Sequence, residues 1–307
     1  MEHNHIEIIG VDHGFSMMKT VSHVFTSGVG EITSEPAIHE NLLEYEGRYY
    51  RIGSERLTVK PTKVLDENYY ILTLAAIAKE LERRGMRSAN IFLAAGLPLT
   101  RFGAEKQGFI DYLSKNKEVT FRYEESTYSI RLDKVAVFPQ CYAAVVDRIM
   151  TFTKKVLVVD IGSWTIDMMP IEEKSPDESR CVTTPRGLIT CMRSINEQCV
   201  RLLNGEIDES EIQQVMRFGK SDLDDKYFQI IKKEIEAFTN YVYDVIGEHG
   251  YNLHTTNIIF VGGGATVMQL FGSLKQKNIT FIDDIKANAK GFEQLARMAL
   301  KANKKIG

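Results

Sequence analysis

The spacing of apolar and polar positions divides the chain into short strand patterns alternating with helical ones. Ile6–Val11 alternates, then runs apolar, and stops at Asp12; a second strand is predicted over Thr20–Phe25. Val29–Pro61 reads as irregular and turn-rich, except for a hairpin over Tyr45–Ile52 that turns at Glu46-Gly47. Tyr70, Leu74, Ile77, Ala78 and Leu81 share one face of a helix predicted over Tyr69–Arg84, which Gly85 ends. A buried strand (Ala89–Ala95), a helix (Phe102–Ser114), paired strands (Val119–Tyr123 and Tyr128–Leu132) and a short strand (Lys134–Phe138) follow. Pro139-Gln140 is then expected to open a helix through CYAAVVDRIM, since proline suits a first helical turn.

The second half begins with VLVVDIGSWTIDMM, Val156–Met169. Four apolar residues end in Asp160, a small-residue turn follows, and a second strand leaves through Ile166. Helices are predicted over Leu188–Leu203 after Gly187, over Asp208–Met216 with Asp208 as cap, and over Asp224–Glu248. Asn257–Val261 is a strand running into Gly262-Gly263-Gly264, Thr280–Asp283 a short strand, and Asn288–Ala302 a closing helix. Strands alternating with helices, with a hairpin at the start of each half, indicate an α/β protein with mixed sheets.

The turns carry the candidate chemistry. Asp12–Lys19 repeats the pattern of Asp160–Asp167: apolar strand, acid, one residue, glycine, a hydroxyl, second strand. Such a hairpin tip can present backbone N–H groups to an anion and a carboxylate to a cation or its waters. One turn of this kind is common as plain structure; two in matching places suggest an internal duplication. FVGGGATV lacks the third small residue of a dinucleotide fingerprint, Val267 standing there, and no loop ends in Gly-Lys-Ser/Thr.

Composition narrows the classes. The 307 residues suit about two domains at the usual ~150 residues each. A net charge of −3 argues against a broad nucleic-acid surface. Cys141, Cys181, Cys191 and Cys199 form no zinc or redox spacing and read as reduced, packed thiols. The first ten residues are too polar for a signal peptide, and no run approaches a membrane span, so a cytoplasmic protein is expected.

All three glycine turns, in this order, resemble the actin-like ATPase superfamily, and within it the ParM/StbA plasmid-segregation group. The resemblance is carried by IIGVDHGFSMMK, FPQCYAAV, VVDIGSWTID, IIFVGGGATVM and NAKGFEQLARM, which bracket nearly the whole chain. It implies a duplicated, ribonuclease H-like α/β fold with a nucleotide cleft between two domains. The expected domains are 1–150 (with a variable insertion at about 29–66) and 151–290, with 291–307 returning to the first. By the same resemblance Asp12 and Asp160 hold Mg²⁺, largely through water. Gly14, Phe15, Ser16, Gly162, Ser163, Trp164 and Thr165 cup the phosphates of ATP or ADP, and Lys19 reaches them. Gln140 orients the attacking water, Gly187 borders the adenine, and Gly262, Gly263 and Gly264 let the backbone pass close to adenosine.

Other readings of these residues stand beside this one. Lys19 also fits a strand edge, Gln140 a helix start without a role, and Gly262–Gly264 a tight strand-to-helix turn. Met17-Met18 and Met168-Met169 suit a core. His13 is expected to be solvated or locally bonded, and Trp164, large where the family is small, to contribute its backbone with the ring packed outward. The implied function is an ATPase that polymerises into filaments and separates plasmid copies, engaging DNA only through a centromere-binding, ParR-like adaptor. A small-molecule kinase on the same fold, or a non-polymerising nucleotide-binding scaffold, are the alternatives.

Overall fold

The computed structural model describes residues 5–58, 60 and 62–303. Val59 and Pro61 of the variable insertion, and the last four residues of the closing segment, lie outside the described residues. The chain forms two compact units, one from residues 1–147 with 286–307, the other from residues 148–285.

The first unit contains β1 (Ile6–His13), β2 (Met17–Lys19), β3 (Val24–Thr26), β4 (Gly28–Ile32), β5 (Leu42–Tyr45), β6 (Arg48–Arg56), α1 (Asn68–Arg83), β7 (Ser88–Leu97), α2 (Leu99–Leu113), β8 (Glu118–Tyr123), β9 (Ser126–Pro139) and the closing helix Ala287–Asn303. Its nine strands run in the order β3-β2-β1-β7-β9-β8-β5-β6-β4. The centre, β1-β7-β9, is parallel, and β1 turns back antiparallel onto β2. Alternation along the central strands assigns the two faces. Ile9, Val11, Ile91, Leu93 and Ala95 pack with α1, whereas Ile8, Phe92 and Ala94 pack with Phe292 and Ala296 of the closing helix. Gly96 of β7 permits that second contact: a Cβ there would lie 2.0 Å from the Phe292 ring.

The second unit contains β10 (Val156–Ile161), β11 (Ile166–Glu172), β12 (Ser175–Pro176), β13 (Val182–Thr184), α3 (Leu188–Leu203), α4 (Glu209–Phe218), α5 (Asp225–Glu248), β14 (Asn257–Val261), α6 (Gly263–Phe271) and β15 (Ile279–Phe281). Its sheet order is β12-β11-β10-β14-β15, with β13 also on β11. The plan of the first unit recurs: a strand doubles back as a hairpin, β10 to β11, and pairs in parallel with a later strand, β14. β10 is buried at all six positions, as a strand covered on both faces must be.

Four expectations from the periodicity are corrected. The strand expected over Thr20–Phe25 is interrupted, because the chain turns at Thr20–His23 to serve a buried carboxylate, Glu80. Lys134–Phe138 is no separate strand but part of β9, which bulges at Asp133 between its pairings with Ile91 and Phe92. Val29–Pro61 is largely sheet: β4, β5 and β6 lie in it, and the Glu46-Gly47 turn has the positive φ angles of a type I′ hairpin. No α-helix follows Pro139. That residue ends β9, Cys141 takes a left-handed φ of 62°, and only short 3-10 turns remain at Ala143–Val145 and Ile149–Thr151.

Glu80 anchors this unit. It is fully buried and accepts from the Thr20 hydroxyl (2.6 Å) and the Ser22 N–H (2.9 Å), with Arg83 and Arg84 beside it. Arg84 also pairs with Glu7 of β1 and Glu293 of the closing helix. Burial works to raise the Glu80 pKa, but the Thr20 and Ser22 hydrogen bonds and the two arginines overcome it and hold the carboxyl below its usual range. A carboxylate with a depressed folded pKa stabilises above its unfolded pKa, and that contribution is lost as the pH falls through the folded value. Glu80→Ala is therefore expected to cost about 3 kcal/mol at pH 7, from stranding buried partners, with the difference shrinking as the pH is taken below about 4.5. Urea unfolding of both proteins across that range checks this; a gap that persists at acid pH would contradict it.

Candidate functional site

Each hairpin tip is built by the way its peptide groups are disposed. In the second unit, the carbonyls of Gly162, Ser163 and Trp164 accept from the N–H groups of Leu188 (3.1 Å), Ile189 (2.9 Å) and Gly187 (3.0 Å). Those three donors are the start of α3, whose first N–H groups have no partners inside the helix. Every peptide here is trans, so a carbonyl turned toward the helix turns the N–H of the same peptide plane away from it. The N–H groups of Ser163, Trp164 and Thr165 thus point away from α3, and among the described residues none has a backbone acceptor. The loop peptides extend the helix dipole, so the positive end of α3 is relayed onto these three donors.

The first hairpin reaches the same end by other means. The Lys63 ammonium donates to the His13 carbonyl. The Ser27 hydroxyl donates to the Gly14 carbonyl (2.7 Å) and the Ser27 N–H to the Ser16 carbonyl (2.9 Å). The peptide N–H groups of Phe15 and Ser16 have no backbone acceptor among the described residues, and the buried Ser16 hydroxyl has no partner. A buried hydroxyl and N–H donors left without partners call for an explanation, and a group that accepts hydrogen bonds would satisfy them together.

The acids stand where each strand ends. Asp12, 2% exposed, lies directly opposite Lys19 in the β1–β2 register and accepts from its ammonium at 3.0 Å. Its other oxygen accepts from the Gln140 side-chain amide at 3.0 Å. Asp12 and Lys19 of one hairpin and the distant Gln140 are thus one hydrogen-bonded set. Burial works to raise the Asp12 pKa; the charges of Lys19 and Lys63 and the Lys19 bond outweigh it and hold the carboxyl below its usual range. Asp160 occupies the matching place in the second unit, opposite Asp167 in the β10–β11 register. Asp167 accepts from the Thr165 (2.8 Å) and Thr183 (2.6 Å) hydroxyls. The sequence reading treated Asp167 only as a strand residue; its register opposite Asp160 follows from the hairpin and could have singled it out.

Gly262 closes over Asp160. Its φ of 79° and ψ of −173° belong to a region essentially reserved for glycine, and a Cβ there would lie 2.2 Å from the Asp160 Oδ1. Gly263 and Gly264 form the first turn of α6, and Gly264 sits against Ile161 of β10. Gly187 is the N-cap of α3.

Three residues depart from expectation. His13 is not solvated: it is fully buried, its Nε2 2.8 Å from the Thr73 hydroxyl and its ring edge-on to Phe109, because the buried run of β1 continues through it. Burial, with the Lys63 charge, pushes its pKa down to about 3, so the ring is neutral at pH 7. The Trp164 ring does not pack outward: it lies against the core of the second unit, with the Arg193 guanidinium 5.0 Å above it. Lys63, in the segment between β6 and α1, was not anticipated, and nothing in that turn-rich stretch marks it. Burial pushes its pKa down to about 8 against the pull of Asp12. The four cysteines form no disulfide, and burial raises the thiols of Cys191 to about 12 and Cys181 to about 11, as suits packed, unreactive sulfur. Among the described residues no three His, Cys, Asp or Glu side chains gather as a metal cluster, and no helix is long and apolar enough to cross a membrane.

Residues 10–142 match the family described as actin like proteins N terminal domain. An archaeal actin homologue, Ta0583, superposes with a TM-score of 0.78 at 16% identity, over 96% of this chain and 100% of its own. The same homologue is known in complex with ADP, with a TM-score of 0.76 at 16% identity over 95% and 99%. The apo pSK41 ParM protein superposes with a TM-score of 0.73 at 17% identity over 97% and 98%. A subunit of a 15-stranded ParM filament from Clostridium botulinum does so with a TM-score of 0.72 at 18% identity over 95% and 99%. No curated protein matches in sequence. The duplicated units, the paired hairpins and these likenesses define an actin-like fold. It is a fold shared with the archaeal homologue and with ParM and Alp proteins.

Gly262→Ala is expected to lower stability by about 2 kcal/mol, from a backbone conformation an L side chain resists and from displacement of the Asp160 carboxylate. Chemical denaturation measures it; an unchanged midpoint would show that the turn relaxes freely.

Proposed function

We propose that the chain binds and hydrolyses ATP with Mg²⁺ and couples that turnover to assembly into filaments of its own copies. The observation that carries this reading is the repeated hairpin: in each unit the tip turns its N–H groups outward beside a buried acid. A scaffold turn has no reason to be built twice in this way by two unrelated sets of donors.

The residues present fit a nucleotide polyphosphate. Phe15, Ser16, Ser163, Trp164 and Thr165 would give main-chain donors to its oxygens, with Gly14 and Gly162 shaping the turns. Lys19 would add a charge-assisted contact. Asp12, already bonded by Lys19 and Gln140, would meet a magnesium ion through water, as would Asp160. Magnesium neutralises phosphate charge during phosphoryl transfer. Gln140 donates its amide N–H to Asp12, which leaves its amide oxygen as the acceptor for a proton of the attacking water. Gly262, Gly263 and Gly264 would let the adenosine approach the backbone, with Gly187 near the base.

Phosphoryl transfer to water calls for position and charge more than covalent help. Asp160→Asn or Gln140→Ala is expected to lower ATP turnover roughly 10²-fold, in line with loss of a transition-state donor. Phosphate release at the wild-type rate in either variant would sink the assignment.

Self-assembly is supported by the likeness to a ParM filament and to the Alp12 filament. The finer reading is that such filaments separate plasmid DNA in the cytoplasm through a centromere-binding, ParR-like adaptor. The net charge of −3 suits indirect rather than direct engagement of DNA. Pelleting and light scattering with ATP, with ADP and with neither test the filament. ATP-dependent pelleting with phosphate release is expected. Phosphate transfer to an added small molecule would indicate a kinase instead, and nucleotide binding with neither outcome a scaffold.

A further inference from the structure

Lys63 lies in the linker that leads from β6 into α1, far in sequence from the first hairpin, yet it is only 7% exposed. Lysine is almost never buried without a paired charge, because stripping its water is costly. Its ammonium donates to the His13 carbonyl and lies 5.3 Å from the Phe15 ring centre and 5.7 Å from that of Tyr69. Among the described residues no carboxylate closes an ion pair with it. A neutral carbonyl and two ring faces compensate only part of the lost hydration.

The surrounding charges leave a surplus. Asp12 is the acid whose charge acts most on Lys63, but both its oxygens are engaged, by Lys19 and Gln140. His13 is neutral. Arg101 and Glu105 on α2 pair with each other. One acid therefore faces two lysines at the base of the loop, and one positive charge is left over beside the outward N–H groups of Phe15 and Ser16. A cavity of about 180 Å³, lined by Phe15, Lys60, Thr62, Lys63, Asp66 and Tyr69 among others, opens next to this ammonium.

We propose that Lys63 is a positioning residue of the first phosphate loop, and that its charge is balanced when a nucleotide polyphosphate occupies that loop. The inference rests on the reading of this hairpin as a phosphate loop. Lys63 acts in two ways. By holding the His13 carbonyl it fixes the His13–Gly14 peptide, whose N–H is held by the Asp12 carbonyl at 3.1 Å, at the start of the turn that presents the Phe15 N–H. By its charge it adds to Lys19 an attraction for anionic oxygens that no acid in contact with it cancels. The cost of burying the ammonium is borne by the ligand-free protein and recovered on binding.

This gives the two properties opposite signs. In Lys63→Met the ligand-free melting temperature is expected to be unchanged or higher, while affinity for ADP and for a non-hydrolysable ATP analogue falls about tenfold or more, as for loss of a charged hydrogen-bonding partner. Titration calorimetry and thermal melting of the full chain read both. Lys63→Gln keeps a donor for the His13 carbonyl without the charge; an intermediate affinity is expected, and this variant carries the test if the methionine form does not fold. Undiminished affinity in both variants overturns the role of Lys63 alone. Affinity and ligand-free melting falling together also overturns it, since that is the behaviour of a purely structural contact. Wild-type protein that binds neither nucleotide overturns the phosphate-loop reading itself, and this inference with it.

Discussion

A turn between two buried strands must find partners for its peptide groups, and the rest of each site follows from how that is done. In the second unit the start of α3 supplies three N–H donors, and the loop Gly162–Trp164 answers with three carbonyls. In the first unit no helix is in place, so Ser27 and Lys63 supply the donors from elsewhere. In the second unit, saturating the carbonyls on one side turns three N–H groups to the other; in the first, the held Gly14 carbonyl does the same for the N–H of Phe15. A surface of unsatisfied N–H donors is thus produced by main-chain geometry, with little demand on which side chains the loops carry. Trp164 can stand where a small residue is usual because its side chain is free to join the core beneath.

The paired hairpins also show how a duplicated frame diverges. Asp12 and Asp160 occupy the same place, but the residue opposite each differs: Lys19 in one, Asp167 in the other. Like charges directly opposite each other on a sheet repel, whereas an acid and a lysine attract. The first hairpin is therefore electrostatically closed by its own residues. In the second, two carboxyl groups stand opposite each other, and the Thr165 and Thr183 hydroxyls donate to Asp167. One frame sets a lysine opposite its acid, and the other a second acid.

Much of this was legible in the residues, and the limits were physical. The hairpins, the Gly187 cap and the limits of α3, from Leu188 to the left-handed Asn204 that ends it, follow from local pattern and turn chemistry. What failed depended on partners distant along the chain. Glu80 cuts a predicted strand from sixty residues away. Leu97, bonding the Gln140 N–H, and a left-handed Cys141 replace a predicted helix with short turns. His13 looks polar in isolation and is buried because β1 runs through it. Lys63 carries no local signal at all, since its significance lies entirely in the carbonyl it meets.

The closing helix gives the order of synthesis an unusual role. Ile8, Phe92 and Ala94 present one face of the first sheet, and the Phe292 and Ala296 that cover it are made last. All of residues 148–285, a self-contained unit, are translated in between. At ~5–20 residues per second that interval is roughly 7 to 28 seconds. During it an apolar sheet face stands open on the growing chain, so the later-made unit completes its core before the earlier one can. The core of the first unit thus waits on residues translated after the whole of the second, and a ribosome stalled before Ala287 would leave a sticky, unfinished sheet attached to an otherwise finished neighbour.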